Sequence, residues 1–280
     1  MFKSAVFQRF MRRKFSVAGA VVLIIFVFAA IFGPMLCSQD PLAQDVTAIH
    51  GAPSAEHWFG TDYLGRDIFT RIIYGARVSL SISLVGVICG SAAGILLGIC
   101  AGYFGKWVDS LISRALDILL AFPGLLLAIM IVAIMGKGLV NTAIAIAVMS
   151  VPSVARMVRG VVLRLRSSEY ISACRVMGAS NSWILATHII PNSVSQIIVN
   201  MTLSLGTSIL TASSLSFLGL GVQAPQPEWG AMLSKAREVV RQFPREALIP
   251  GIAITLVVLS FSLVGDGLRD ALDPQLKNRS

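Results

Sequence analysis

Apolar positions along the chain gather into six long runs separated by polar, charge-bearing stretches, covering residues 15–36, 79–103, 115–135, 139–155, 193–220 and 247–265. A hydrocarbon core about 30 Å thick asks for roughly 20 residues of helix. Only a structure that satisfies its own backbone polar groups can cross it. The pattern therefore predicts an all-α, polytopic membrane protein with six transmembrane helices. The first run follows Arg12, Arg13 and Lys14 as a signal peptide would. It is longer than an h-region of about 7 to 15 residues, and no small-x-small cleavage site follows it. Cys37 also lacks the preceding small residue of a lipoprotein signal, since Met35 and Leu36 stand there. A retained helix is expected.

Composition removes the competing classes. The 280 residues are 55% hydrophobic and 13% charged with a mean hydropathy of +0.79, which fits neither a soluble globular domain nor a disordered chain. The net charge of +9 comes with no nucleic-acid-binding motif and no groove-sized basic stripe, so it reports topology instead. Six spans place both termini on one side. That side carries 15 of the 23 Lys and Arg, whereas the other carries 8, together with eight acids. Lys and Arg accumulate on the cytoplasmic side of membrane proteins, which predicts cytoplasmic termini.

Within the runs, Gly86, Gly90, Gly94, Gly98 and Gly102 recur every fourth residue. Such a stripe predicts close approach of another helix, from this chain or a second one, where van der Waals contact replaces the hydrophobic drive that lipid does not supply. Pro123, Pro152 and Pro250 fall inside runs and are candidate bends. Asp117 and Asp266 lie one helical turn from Arg114 and Arg269, so ion pairs are expected at two span ends. No run carries a charge near its middle, which counts against a proton- or sodium-driven carrier.

Catalytic chemistry finds no constellation. There is no P-loop, no H-E-x-x-H and no Cys/His cluster, and no span contains a His or Lys to activate a serine. Cys37, Cys89, Cys100 and Cys174 read as four free thiols. No catalytic, cofactor or metal site is expected on this chain, and it reads as a protein other than an enzyme.

The stretch 156–192 is the longest polar connection on the terminal side. Tyr170, Ala173, Cys174 and Met177 repeat at helical spacing while Glu169, Ser172 and Arg175 face away, which predicts a short amphipathic helix. Gly178 suits its C-cap, and Ser180 or Ser182 suits the N-cap of a second helix ending before Pro191. The apolar face of this hairpin has a lipid surface or a partner protein to bury against.

From Glu169 to Ser180, and again at His188-Ile-Ile-Pro191-Asn192, the hairpin resembles the EAA-type loop of ABC importer membrane subunits. Ala173, Gly178 and Pro191 match at the family's spacing, whereas Ser172, Cys174 and His188 stand where the consensus has Glu, Ala and Ile. The stretches from His57 to Arg71 and from Tyr74 to Leu80 are similar to the external segment of C-type dipeptide, oligopeptide and nickel permeases. Ser216 to Gly221, Pro227 to Leu233 and Gly265 to Pro274 resemble further signatures of that family, in family order, so the likeness covers almost the whole chain.

The resemblance implies a type I ABC importer permease with a leading segment 1–78 and a transmembrane domain 79–280 whose coupling hairpin spans 168–192. It implies a B-type second permease, two cytoplasmic ATPases and an external binding protein as partners, with the bacterial inner membrane as location. It implies no cofactor on this chain, ATP being held by the partner subunits. Glu169, Ala173, Gly178, Ala179, Ile190 and Pro191 would couple to the ATPase. Asp62, Arg66 and Asp67 would meet the binding protein, although with Arg71 they also read as a local ion-pair network. Trp229 reads either as part of that docking surface or as a membrane-interface anchor. The implied solute is a di- or oligopeptide, with a nickel chelate, glutathione or another peptide-like molecule as the alternative.

Overall fold

The computed structural model describes residues 2–272. Its helices are α1 (Phe2–Arg12), α2 (Lys14–Leu36), α3 (Ile68–Phe104), α4 (Lys106–Leu120), α5 (Gly124–Met135), α6 (Leu139–Arg166), α7 (Glu169–Val176), α8 (Asn181–Ile184), α9 (Ile190–Phe217), α10 (Trp229–Ala236) and α11 (Arg245–Leu272). Among the described residues the only extended pairing is an isolated bridge between Thr61 and Asp67. The chain is all-α, and α2, α3, α6, α9 and α11 are each long and apolar enough to cross a membrane.

The bent pair α4 and α5, a sixth span if the two are taken together, corrects the expectation of one helix over 115–135. There α4 and α5 meet at 89°, with Ala121 to Pro123 between them. Pro123 has no N–H to continue the ladder, and its ring drives Phe122 away from helical geometry. Its carbonyl then accepts from Leu127 N at 3.0 Å and starts α5. Pro152 and Pro250, by contrast, lie within the continuous helices α6 and α11.

The glycine stripe finds its partner in this chain. α3 and α6 run parallel, and a Cβ placed on Gly86, Gly94, Gly98 or Gly102 would come within 2.7, 2.8, 2.6 and 2.8 Å of Ile146, Val154, Ala155 and Val162. Two backbones approach this closely only where side chains are absent. α11 lies antiparallel to α9, with Gly265 against Leu203, and antiparallel to α2, with Gly19 against Leu263. α2 is peripheral: Phe15, Ile24, Phe28 and Ile31 are exposed on it, an apolar surface that lipid covers.

This arrangement gathers the connections at two ends. At one end lie the close of α3, the α7–α8 hairpin and the meeting of α2 with α11, where Arg13 pairs with Asp270 at 2.5 Å. At the other lie the segment 37–67, the α5–α6 turn and the segment 218–244. Gly138 N bonds to Gly221 O there, and Arg245 binds the carbonyls of His50 and Gly51 at 2.5 and 2.8 Å.

Of the two pairs expected within single helices, one is replaced by a pair between helices and the other is absent among the described residues. Asp117 meets Arg156 of α6 at 2.5 Å rather than Arg114, and Asp109 receives two bonds from Arg159. Asp266 and Arg269 form no salt bridge among the described residues, and both are exposed. Pairing across helices fixes the foot of α4 against α6, which an (i, i+3) pair on one helix does not do.

Candidate functional site: the α7–α8 hairpin and the cap at the opposite end

The hairpin begins where α6 ends at Ser167. Glu169 occupies the first turn of α7, where its charge suits the positive helix end. Gly178 closes α7 in the left-handed region at φ +84, with Gly178 N bonded to Arg175 O and Ala179 N to Cys174 O, both at 3.0 Å. That is the reversal a glycine permits without strain. Ser180 then accepts from Trp183 N at 3.3 Å and caps α8. Tyr103, at the end of α3, donates to Asn181 at 2.6 Å and ties the hairpin to the membrane helices.

The second helix does not stop before Pro191, contrary to expectation. It passes through one π-helical stretch, Leu185–Ile189, into α9, with Pro191 in its first turn. A widened turn with Ile190 N bonded to Leu185 O makes room for a ring that a regular ladder would exclude. The hairpin and α9 thus form one continuous rod, so force on the hairpin reaches a spanning helix without a flexible joint.

Of the face read as apolar and awaiting lipid or a partner, only Cys174 turns inward. Ile171 and Cys174 are buried, in one cluster with Tyr103, Val154, Val158, Val162, Ile184 and Ile189. Tyr170, Ala173 and Met177 are exposed. The hairpin therefore spends its inner face on α3 and α6 and presents another surface outward. There Val176 is 89% and Met177 78% exposed, beside Glu169, Ala173 and Gly178. Ala179 is half-buried, and Ile190 and Pro191 are exposed at the root of α9. Reading from sequence placed Met177 on the apolar face but missed Val176 beside it, and it missed Ile171 as the inner anchor. His188 sits edge-on to Tyr170 and Trp183 and 3.8 Å from the Cys174 thiol, filling the space between α7 and α9.

At the opposite end, Asp62 receives Arg66 at 2.7 Å and lies 3.6 Å from Arg71. Asp67 caps α3 by accepting from Thr70 N at 2.7 Å and also meets His57 at 3.1 Å. All four charged residues are buried, but only Asp62, Arg66 and Arg71 form the ion-pair network, whereas Asp67 is held by Thr70 N and His57. Trp229 is a correction to the interface-anchor expectation: it has no exposed surface, donates to Ile72 O at 3.0 Å and packs edge-on against Phe26. Its ring wedges between α3 and α2 instead of lying at a lipid boundary.

Glu228 precedes it and is fully buried. It caps α10 through Ala231 N at 2.8 Å and accepts from the Ser79 hydroxyl at 3.1 Å. Burial pushes its carboxyl above the ordinary glutamate range, although the N–H groups of Gly230 and Ala231 and nearby hydroxyls pull the other way. The protonated form is therefore favoured by folding. The resulting stability is present in full below the unfolded value of about 4.3 and is lost as pH climbs through the higher folded value. Glu228→Gln is expected to flatten that decline, read as melting temperature of the detergent-extracted protein against pH. An unchanged slope would show that Glu228 is not its source.

Two family descriptions match this chain. Residues 94–278 match the binding-protein-dependent transport system inner membrane component, and residues 2–53 match the N-terminal transmembrane domain of oligopeptide transport permease C. The chain belongs to the binding-protein-dependent transport permeases. This permease is 50% identical to the dipeptide transport system permease protein DppC of Alkalihalophilus pseudofirmus over 97% of its own length and 90% of that relative. It is 47% identical to the glutathione transport system permease protein GsiD of Pectobacterium atrosepticum, again over 97% and 90% of the two chains. Its fold superposes on an inward-facing MetNI methionine ABC transporter with a TM-score of 0.60 at 18% identity, over 72% of the permease and 97% of that chain. An amino acid ABC transporter crystallised with histidines gives 0.57 at 16% identity, over 73% and 95%. The permease is a multi-pass membrane subunit of an ABC importer, a class that works with ATPase subunits and a substrate-binding protein.

Proposed function

We propose that this permease carries short peptides, di- and oligopeptides, across the bacterial inner membrane as one half of a translocation pathway. The 50% identity over nearly the full length to a dipeptide permease carries this reading. The similar identity to a glutathione permease keeps a γ-linked tripeptide within the same solute class. The second half is a B-type permease, two cytoplasmic ATPases take up the α7–α8 hairpins, and an external binding protein delivers the solute. ATP is bound by the ATPases and no cofactor by this chain. Both termini and the hairpin face the cytoplasm, in line with the excess of Lys and Arg at that end.

The hairpin is the point of force. Its exposed tip at Val176 and Met177, flanked by Glu169 and Ala173, offers an apolar patch with a charged rim. The hairpin is rigidly continuous with α9 and packed on α3 and α6, so closing the ATPases rocks the helices as a body, as alternating access requires. The test is reconstitution of the permease with its three partner subunits and binding protein in proteoliposomes, with radiolabelled Ala-Ala and glutathione compared. ATP-dependent accumulation of a peptide is expected. Accumulation that proceeds without ATPase subunits, or none of any peptide by the complete importer, would remove the reading.

A further inference from the structure

Six hydroxyl side chains meet at the middle of two spanning helices. Ser150 and Ser153 of α6 and Ser204, Thr207, Ser208 and Thr211 of α9 line a cavity of about 130 Å³, backed by Ile146 and Met149. The α9 residues are spaced three, four and seven apart, which places them on one helix face.

The direction of their hydrogen bonds fixes what this wall offers. Ser150 donates to Ile146 O at 2.9 Å, Ser153 to Ser150 O at 3.0 Å, Thr207 to Ser204 O at 3.0 Å, Ser208 to Leu205 O at 2.8 Å and Thr211 to Thr207 O at 3.0 Å. Each of these hydroxyls spends its one proton on its own helix. Its oxygen keeps lone pairs free to accept. The wall is thus uncharged and rich in acceptors.

The same face of α6 continues three residues on to Arg156, which meets Asp117 of α4 with both side chains more than half exposed. Charged groups in contact with lipid are strongly disfavoured, and such residues face a water-filled space or other protein. The exposed apolar groups of α2, Ile24 among them, show what a lipid-facing surface of this chain looks like.

We infer that the α6–α9 hydroxyl face is a wall of the solute path, and that it receives solutes through N–H donors, the amide and ammonium groups of a short peptide. The inference rests on the proposed import function and adds to it the lining residues and the polarity they prefer. Several weak acceptors in series let a solute exchange water for hydroxyls without being trapped, and the Asp117–Arg156 pair lies at the cytoplasmic end of that route.

The test uses the complete importer with its native cysteines in place, carrying Ser153→Cys, Thr207→Cys or Thr211→Cys singly, with Ile24→Cys as the lipid-facing control. Modification by a cationic and an anionic methanethiosulfonate is followed site by site by mass spectrometry. Labelling at the three positions at least tenfold faster than at Ile24 is expected, with the cationic reagent favoured after each rate is divided by its rate with free cysteine. Rates equal to the control, or preference for the anionic reagent, would overturn the inference. An isosteric pair, Thr207→Val with Thr211→Val, removes the acceptors without changing side-chain size. Peptide uptake should fall at least threefold while ATPase activity is unchanged, and unchanged uptake would equally overturn it. ATP-driven uptake by the unsubstituted importer is measured alongside. Its absence would refute the import reading itself, whereas normal uptake with unlabelled positions would refute only the path.

Discussion

Gly98→Leu is expected to cost the permease its folded state in detergent, with a collapse of the monodisperse peak in size-exclusion chromatography. A Cβ at position 98 alone would lie 2.6 Å from the Ala155 carbonyl oxygen and 2.8 Å from Val158 Cβ. The obstacle is partly backbone, so no rotamer change relieves it. Overpacking of this kind costs typically about 1–3 kcal/mol, and an isobutyl group adds to what Ala would cost. Val158 also belongs to the cluster on which Ile171 and Cys174 rest, so separating α3 from α6 unseats the α7–α8 hairpin as well. Gly98→Ala should lower the melting temperature by an intermediate amount. Gly160→Ala is the contrast: no atom lies within 4 Å of its added Cβ, and in a helix interior Ala is favoured over Gly by up to about 1 kcal/mol. A Gly98→Leu protein that purified and melted like the native one would show that the α3–α6 approach is not what holds the bundle.

Much of the fold was legible because a bilayer reduces the problem to one dimension. Long apolar runs must be spans, and a four-residue glycine period must be a seam. Helix ends were less legible. α6 runs from Leu139 to Arg166, eleven residues past its apolar run, because its lower part packs on the hairpin with one face and meets solvent with the other. Pro123 announced a bend but not its size, which depends on where α4 anchors through Asp109 and Asp117 to α6. The hairpin was visible through Gly178 and Pro191, and Tyr170, Ala173 and Met177 of its apolar face stand outward, yet the inner anchor Ile171 was missed. An eight-residue helix makes barely two turns, too few for periodicity to separate Ile171 from its neighbour Tyr170. Contacts such as Ser79–Glu228 and His50–Glu246, 149 and 196 residues apart in sequence, leave no local trace at all. Nor did the residue types reveal the hydroxyl wall, since serines and threonines look alike whether they face lipid, protein or a path.

Gly178→Pro is expected to abolish ATP-driven uptake while the protein still inserts. Proline holds φ near −65°, and the chain needs +84° there to reverse between α7 and α8. The substitution also removes the N–H that binds Arg175 O at 3.0 Å. Gly178→Ala meets no steric obstacle, since no atom lies within 4 Å of the new Cβ, and it faces only the backbone cost of about 1 kcal/mol for a left-handed alanine. Uptake by the alanine variant should therefore be reduced and that of the proline variant lost, with the membrane-inserted amount similar in both. Loss of uptake through a disordered hairpin would not by itself identify the hairpin as the ATPase contact. Met177→Glu separates the two, because Met177 is 78% exposed and makes no part of the inner cluster. Its melting temperature should match the native protein, while peptide uptake and co-purification of the ATPases both fall at least tenfold. A Met177→Glu importer that retained its ATPases and its transport rate would place the drive somewhere other than this tip.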